Sequence, residues 1–149
     1  MKEPHQEKEV LGFKMKRIVS EVERMANLDV SIHGLTFVQG KVILYLCENG
    51  GHCTQSEIED YTETSHQASS GLLGRMEQKE LVRCAFDGED KRVKNVYITP
   101  KGESMYDTLV DVRHEYDSRL EHMLSENEKA VLYEMLDRVY NHLNDLDAE

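Results

Sequence analysis

The sequence has few cysteines and lacks the apolar segments that are typical of membrane and secreted proteins. It contains two prolines, no tryptophan and three cysteines, and no two cysteines form a Cys-x-x-Cys pair. An odd number of cysteines without such a pair is typical of reduced thiols rather than of a disulfide framework. No apolar run approaches the ~20 residues of a membrane-spanning helix, and residues 1–9 lack the apolar stretch of a secretory signal. We therefore expect a cytoplasmic protein with no membrane partner.

Motifs of catalysis and of metal binding are also absent from the sequence. It has no nucleophile elbow, no glycine-rich phosphate loop and no His-Glu-x-x-His. Seven histidines are present, but no pair has the spacing of a zinc site. The sequence predicts no catalytic residues, no metal site and no cofactor, and hence a protein that is not an enzyme.

The charge is strongly negative but unevenly distributed. The chain has 149 residues, enough for one domain with a core, and a formal net charge of −11. Residues 102–149 carry thirteen acidic and four basic side chains, whereas residues 81–101 carry five basic and three acidic ones. Charges are screened over about 8–10 Å at physiological salt, so a contact surface depends on local charge. The negative net charge disfavours unspecific nucleic-acid binding. The locally basic segment 81–101 still allows a specific contact.

Apolar residues at helical spacing predict helices over most of the chain. The first helix carries Val10, Phe13, Ile18, Val22 and Met25. A second helix is predicted from Leu35 to Glu48, ended by Gly50-Gly51. Thr99 and Pro100 are expected to start a long helix, and the capping box Ser125-Glu126-Asn127-Glu128 to start the last one.

The middle of the chain predicts a helix-turn-helix followed by a hairpin. Thr54-Gln55-Ser56-Glu57 is a capping box for a short helix ending near Tyr61, and Ser65 suits the N-cap of the next helix. The inward side of that next helix is predicted to hold Ala68, Leu72, Leu73 and Met76. Residues 81–86 and 93–99 alternate with period two around a polar tip at 87–92, which indicates a β-hairpin wing. The predicted fold is mostly α, a winged helix-turn-helix with a wing of two or three strands.

Five segments in this order and spacing resemble the MarR family of bacterial transcription regulators. They are Gly34–Gln39, Thr54–Ile58, Leu72–Val82, Asp87–Arg92 and Thr99–Gly102. The resemblance implies one MarR-like domain over 1–149, with a DNA-binding lobe at about 35–99 and dimerisation helices at about 8–30 and 100–146. It also implies a homodimer on a palindromic double-stranded DNA operator.

Such regulators place a recognition helix in the major groove and a wing against the minor groove. Arg92 at the wing tip is the leading candidate, because a long cation fits a narrow minor groove, and Asp90 is expected to hold it. Gln67 can pair with adenine, while Lys91 and Lys94 suit phosphates. The full set of predicted DNA contacts is Thr54, Gln55, Ser65, His66, Gln67, Ser69, Ser70, Arg75, Asp90, Lys91, Arg92 and Lys94.

The resemblance further implies a pocket for a small effector between the dimer region and the DNA-binding lobe. The predicted lining residues are Phe13, Arg17, His33, Gly40 and Arg113. Gly40 would enlarge such a pocket or, alternatively, permit close helix packing. We expect a repressor that a small apolar or aromatic acid releases from DNA.

Two other functions remain open at this point. Gly71 stands where similar regulators often carry arginine, and together with the net charge this motivates a winged-helix interaction module that does not bind DNA. Cys53 immediately precedes a helix N-terminus, where a thiolate is stabilised, which motivates a thiol-based redox sensor. Against that hypothesis, Cys47 and Cys84 are interpreted as ordinary residues of a helix face and a strand.

Overall fold

The computed structural model describes residues 10–147. Its elements are α1 (Leu11–Ser31), α2 (Phe37–Glu48), β1 (His52–Thr54), α3 (Gln55–Thr62), α4 (His66–Gln78), β2 (Val82–Phe86), β3 (Lys94–Ile98), α5 (Pro100–Glu103), α6 (Tyr106–Glu121) and α7 (Glu126–Asp147). This order confirms the predicted fold class, a mostly helical winged helix-turn-helix.

Helix α2 begins two residues later than predicted because of a local cap. The amide of Gln39 donates to the Thr36 hydroxyl at 3.3 Å, and the amide of Thr36 donates to the Gln39 side chain at 3.1 Å. This reciprocal capping box starts the helix at Phe37. The end of α2 at the Gly50-Gly51 pair is as predicted, and both glycines have positive φ.

The helix-turn-helix forms where it was predicted. Thr54 caps α3 in a capping box with Glu57, and Ser65 caps α4. The inward side of α4, however, differs from the prediction at one position. Ala68 is exposed, whereas the next residue, Ser69, is fully buried beside the core residues Leu72, Leu73 and Met76.

Within the described residues, three strands make one antiparallel sheet in the order β1-β3-β2. Cys53, Val96 and Cys84 are paired across the three strands and lie on the side of the sheet that faces the core. Strands β2 and β3 match the predicted wing. The short strand β1 makes the wing three-stranded.

The long helix predicted from Thr99 is interrupted after one turn, which corrects the prediction. Helix α5 ends at Glu103 and α6 starts at Tyr106. The Thr99 hydroxyl donates to the Glu80 carbonyl at 2.6 Å and accepts from the Gly102 amide at 3.1 Å. A Cβ on Gly102 would lie 2.3 Å from the Leu81 carbonyl oxygen. This close approach fixes α5 against the turn that leads from α4 into β2.

The chain divides into two compact units, one ending at Arg113 and the other starting at His114. The core of the first unit contains Ile43, Leu46, Ile58, Leu73 and Met76, all fully buried. In the second unit, helix α7 leaves a row of apolar side chains exposed: Val131, Leu132, Met135, Leu136, Val139, Leu143 and Leu146. A single domain over 1–149 stays a prediction. No helix in residues 10–147 is long and apolar enough to cross a membrane.

Candidate nucleic-acid interface

The first turn of α4, the predicted recognition helix, presents polar side chains to solvent. The Ser65 hydroxyl accepts from the Ala68 amide at 3.2 Å, which satisfies a free donor at the helix start. Ser65, His66 and Gln67 are exposed, as is Arg75 further along the helix, and Ser70 is half-buried. The structure therefore leaves five of the predicted DNA contacts at least partly exposed on α4 and its N-cap.

Two other predicted DNA contacts, Gln55 and Ser69, point into the protein instead. Gln55 is 4% exposed and Ser69 is 0% exposed. The Nε2 of Gln55 lies 2.8 Å from the hydroxyls of both Ser69 and Ser70. Their polar atoms join α3 to α4, and their contact with DNA stays a prediction.

Glu59, which the residue patterns did not single out, is the centre of a partly buried network with Gln55, Ser69 and His66. Its Oε1 accepts from the Ser69 hydroxyl at 2.7 Å, from Nδ1 of His66 at 2.8 Å and from Nε2 of Gln55 at 3.1 Å. The Ser69 hydrogen bond, followed by those from His66 and Gln55, lowers the pKa of Glu59. The only available signal was its place one helical turn after Gln55.

Thr54 is engaged at the start of α3. Its hydroxyl accepts from the Glu57 amide at 3.3 Å, and its own amide donates to Glu57 Oε2 at 2.7 Å. The backbone hydrogen bond from Thr54 is the largest cause of the lowered pKa of Glu57. The capping role of Thr54 is thus present in the structure, and its contact with DNA stays a prediction.

The wing tip is ordered by two aspartates. Asp90 accepts from Arg92 at three points, the backbone amide, Nε and Nη2, each at 3.0 Å. Asp87 accepts from the amides of Glu89 and Asp90 at 2.9 and 3.0 Å, and from the Asn95 side chain at 3.3 Å. These bonds lower the pKa of both carboxyls, Asp90 chiefly through the Arg92 side chain. The Arg92 side chain remains 90% exposed.

The other wing cations are spread along the hairpin. Lys91 is exposed at the tip, and Lys94 is half-buried, with its Nζ 5.9 Å from the centre of the Phe86 ring. Arg83 lies over Tyr97 at 4.6 Å, and Tyr97 stacks on His52 at the same distance. These contacts run across all three strands and stiffen the base of the wing.

Two of the five predicted effector residues line a groove along α1. Phe13 and Arg17 line a shallow groove along α1 together with Lys16, Ser20, Glu21 and Arg24. His33 lies outside this groove and is exposed. A Cβ on Gly40 would lie 3.1 Å from Leu109 Cδ2, so the absent side chain permits close packing of α6.

Arg113, the fifth of these residues, also lies outside the groove. It forms an ion pair with Glu48 at 2.8 Å, and this contact is the largest cause of its raised pKa. The role of the five residues in effector binding stays a prediction.

The thiols are held in their protonated form. Burial raises the pKa of Cys53 to about 12 and that of Cys84 to about 11, and it also raises the pKa of Cys47. Reactive cysteines have lowered pKa values. Over the described range 10–147, no group of three or more His, Cys, Asp or Glu side chains is placed to hold a metal ion.

A capped helix-turn-helix followed by an ordered wing defines a winged helix-turn-helix protein. A family model described as the MarR family matches residues 33–93. The uncharacterized HTH-type transcriptional regulator YfiV of Bacillus subtilis is 27% identical over 135 residues, which cover 88% of this chain and 81% of that protein. The resemblance found in the sequence is confirmed: residues 33–93 match the MarR family, and the chain is similar to HTH-type transcriptional regulators.

Solved structures have the same fold. The S. aureus MepR–DNA complex matches with a TM-score of 0.80 at 24% identity, covering 89% of this chain and 98% of that one. A mutant MarR from E. coli complexed with operator DNA matches with a TM-score of 0.79 at 22% identity, covering 93% and 99%. At this identity the similarity supports the fold.

Proposed function

We propose that this chain binds a palindromic DNA operator as a homodimer and represses transcription until a small apolar or aromatic acid releases it. One observation carries the DNA-binding part of the proposal: the wing presents an exposed arginine that an aspartate already holds in place. Because Arg92 is ordered before binding, less conformational entropy is lost when it enters a groove. Similar proteins of the same fold have been solved with DNA bound.

The recognition helix supports the same proposal. Its exposed first turn offers the His66 ring, the Gln67 amide and the Ser65 backbone region to a groove. Gln67 can make paired hydrogen bonds to adenine. Lys91 and Lys94 on the wing, and Arg75 on the helix, supply cations for phosphates. The negative net charge keeps unspecific binding weak, so these local cations matter most within about one screening length.

Dimerisation is supported by apolar side chains that one chain leaves uncovered. On α7, residues at steps of three and four stay 36–55% exposed: Leu132, Leu136, Val139, Leu143 and Leu146. On α1, Leu11, Ile18 and Val19 are more than half exposed. Extended apolar surface of this kind marks an interface in soluble proteins. Two copies would place two recognition helices about one DNA turn apart.

Effector release follows from linkage. A ligand that prefers one separation of the two recognition helices lowers DNA affinity by its differential affinity for the two states. Phe13, Arg17, His33, Gly40 and Arg113 remain the proposed contacts. A carboxylate effector would suit Arg17, because guanidinium groups bind carboxylates at two points.

The test is a titration of the purified protein against the DNA that flanks its own gene, at several salt concentrations. We expect binding at least about 10³-fold tighter than to unrelated DNA, with an affinity that falls steeply with salt. Sedimentation of the free protein should give the mass of two chains. Binding no tighter than to unrelated DNA would contradict the proposal and favour the interaction-module alternative.

The redox alternative is disfavoured by the raised pKa values of Cys53 and Cys84. Thiols that stay protonated at neutral pH react slowly with peroxide.

A further inference from the structure

We propose that Glu59 is a positioning residue for DNA recognition, which fixes the first turn of the recognition helix on α3 through Ser69 and His66. This inference rests on the proposed DNA-binding function and deepens it. Glu59 itself lies on α3, and its carboxylate is turned inward towards α4.

The geometry is a single oxygen with three donors. Glu59 Oε1 accepts from Ser69 at 2.7 Å and from His66 at 2.8 Å, both on the first turn of α4. The third donor, Gln55 at 3.1 Å, belongs to α3 like Glu59 itself. Ser69 is fully buried, and the Glu59 side chain is 20% exposed. The Glu59–Ser69 contact therefore lies largely inside the helix-turn-helix, whereas the His66 ring is mostly exposed.

A carboxylate in this position depends on its donors. An ionised group with little access to water costs free energy unless hydrogen bonds replace the water. Hydrogen bonds to a charged acceptor are short and directional, whereas apolar packing is not directional. Ser69 and His66 are three residues apart and so lie on the same side of α4. Two directional bonds to that side oppose rotation of α4 about its own axis.

The orientation of α4 decides which atoms reach DNA. An ionised carboxylate only accepts hydrogen bonds, so Nδ1 of His66 must be the donor to Glu59. This contact leaves Nε2 of the same ring for DNA, and the His66 side chain is 80% exposed. Gln67, the next residue, is exposed beside it. A rotation of the helix would displace both side chains from the base edges.

A simpler explanation is that Glu59 acts only as a negative charge near the DNA. The two explanations predict opposite results. If charge alone matters, removing it strengthens binding to every duplex, because repulsion by phosphates is sequence-independent. If Glu59 positions the helix, replacing Glu59 weakens binding to the preferred duplex and leaves binding to other duplexes unchanged. Asp60, the exposed next residue on α3, offers a matched control for the charge.

The experiment starts with selection of duplexes from a randomised DNA library by the wild-type full chain. Dissociation constants are then measured on the selected duplex and on a scrambled duplex for wild type, Glu59→Ala, Glu59→Gln and Asp60→Asn. We expect Glu59→Ala to lower the ratio of specific to unspecific affinity by about tenfold. Glu59→Gln should stay within about threefold of wild type, because its amide oxygen still accepts from Ser69 and His66. Asp60→Asn should leave the ratio unchanged.

Several results would overturn the inference. One is a ratio of specific to unspecific affinity that is unchanged in Glu59→Ala. Another is an equal fall of this ratio in Asp60→Asn. If Glu59→Ala loses its helical circular dichroism, Ser69→Ala replaces it, and an unchanged ratio in Ser69→Ala overturns the inference. Failure of the wild type to enrich any duplex would overturn the DNA-binding function itself. If the wild type enriches a duplex but the affinity ratio is unaffected in Glu59→Ala, only the role of Glu59 is overturned.

Discussion

Asp90 and Arg92 form a two-point ion pair at the wing tip, with Nε–Oδ1 and Nη2–Oδ2 distances of 3.0 Å each. The Arg92 side chain is 90% exposed and that of Asp90 43%, so water screens the pair and it adds little to stability. Its effect is on geometry, because the guanidinium is held in one direction while its remaining hydrogens stay free for a groove.

Replacing this arginine should weaken DNA binding. We expect Arg92→Ala to lower specific affinity by about tenfold to hundredfold, the usual cost of losing an arginine that contacts bases. Electrophoretic mobility shift or anisotropy on the preferred duplex measures the loss. Arg24→Ala, on α1 and paired with Glu21 at 2.6 Å, is the matched control and should bind like wild type. Equal losses in both variants would mean that Arg92 contributes only general charge.

Thr54 should prove to be a helix cap. Thr54→Ala removes the acceptor for the Glu57 amide, and we expect the free energy of unfolding to fall by about 1 kcal/mol. Thr54→Ser keeps the hydroxyl and should retain most of the free energy of unfolding. Ser56 is exposed two residues further on, and Ser56→Ala should have little effect. Urea denaturation measures all three. Unchanged stability together with lost DNA affinity would show that Thr54 serves mainly as a DNA contact.

Two glycines should respond to alanine in opposite ways. A Cβ on Gly102 would lie 2.3 Å from the Leu81 carbonyl oxygen and 2.7 Å from Ile98 Cδ1. We therefore expect Gly102→Ala to destabilise the fold by about 3 kcal/mol, at the upper end of overpacking effects. Gly74, inside α4, has nothing within 4 Å of that point, so Gly74→Ala should stabilise by up to about 1 kcal/mol. Thermal unfolding compares them, and a change of the same sign in both would contradict the geometry.

The contribution of Glu59 to stability should depend on pH. Its pKa is lowered in the folded state from the ordinary value of 4.5, chiefly by Ser69. A lowered folded-state pKa contributes stability that is fully present above the unfolded value and is lost as the pH falls through the folded value. The difference in unfolding free energy between wild type and Glu59→Gln should therefore shrink as the pH falls from 6 to about 3. A difference that stays constant over this range would contradict the lowered pKa.

The cysteines should be slow to react in the folded protein. Because burial raises the pKa of Cys53 to about 12 and that of Cys84 to about 11, a disulfide reagent at neutral pH should modify both thiols far more slowly than in urea-unfolded chain. Peroxide should leave DNA binding intact. Release by peroxide that dithiothreitol reverses and Cys53→Ser abolishes would instead establish a redox sensor.

Residue patterns were enough to predict the features that depend on near neighbours in the chain. The caps at Thr54, Ser65 and Ser125 join atoms three residues apart, so their residue types were enough to place three helix starts. The alternation of β2 and β3 and the polar tip between them predicted the wing. The Asp90–Arg92 pair spans two residues, and the Asp-x-Arg pattern of similar wings predicted it.

Which polar side chains turn inward depends on how the helices pack against each other. Ala68 and Ser69 are adjacent, and the rotation of α4 against α3 selects the serine, because Gln55 and Glu59 offer it hydrogen bonds across the helix pair. The break between α5 and α6 likewise depends on Gly102 meeting the Leu81 carbonyl, twenty-one positions earlier in the chain. Contacts between distant segments determine both features, and local residue patterns do not predict such contacts.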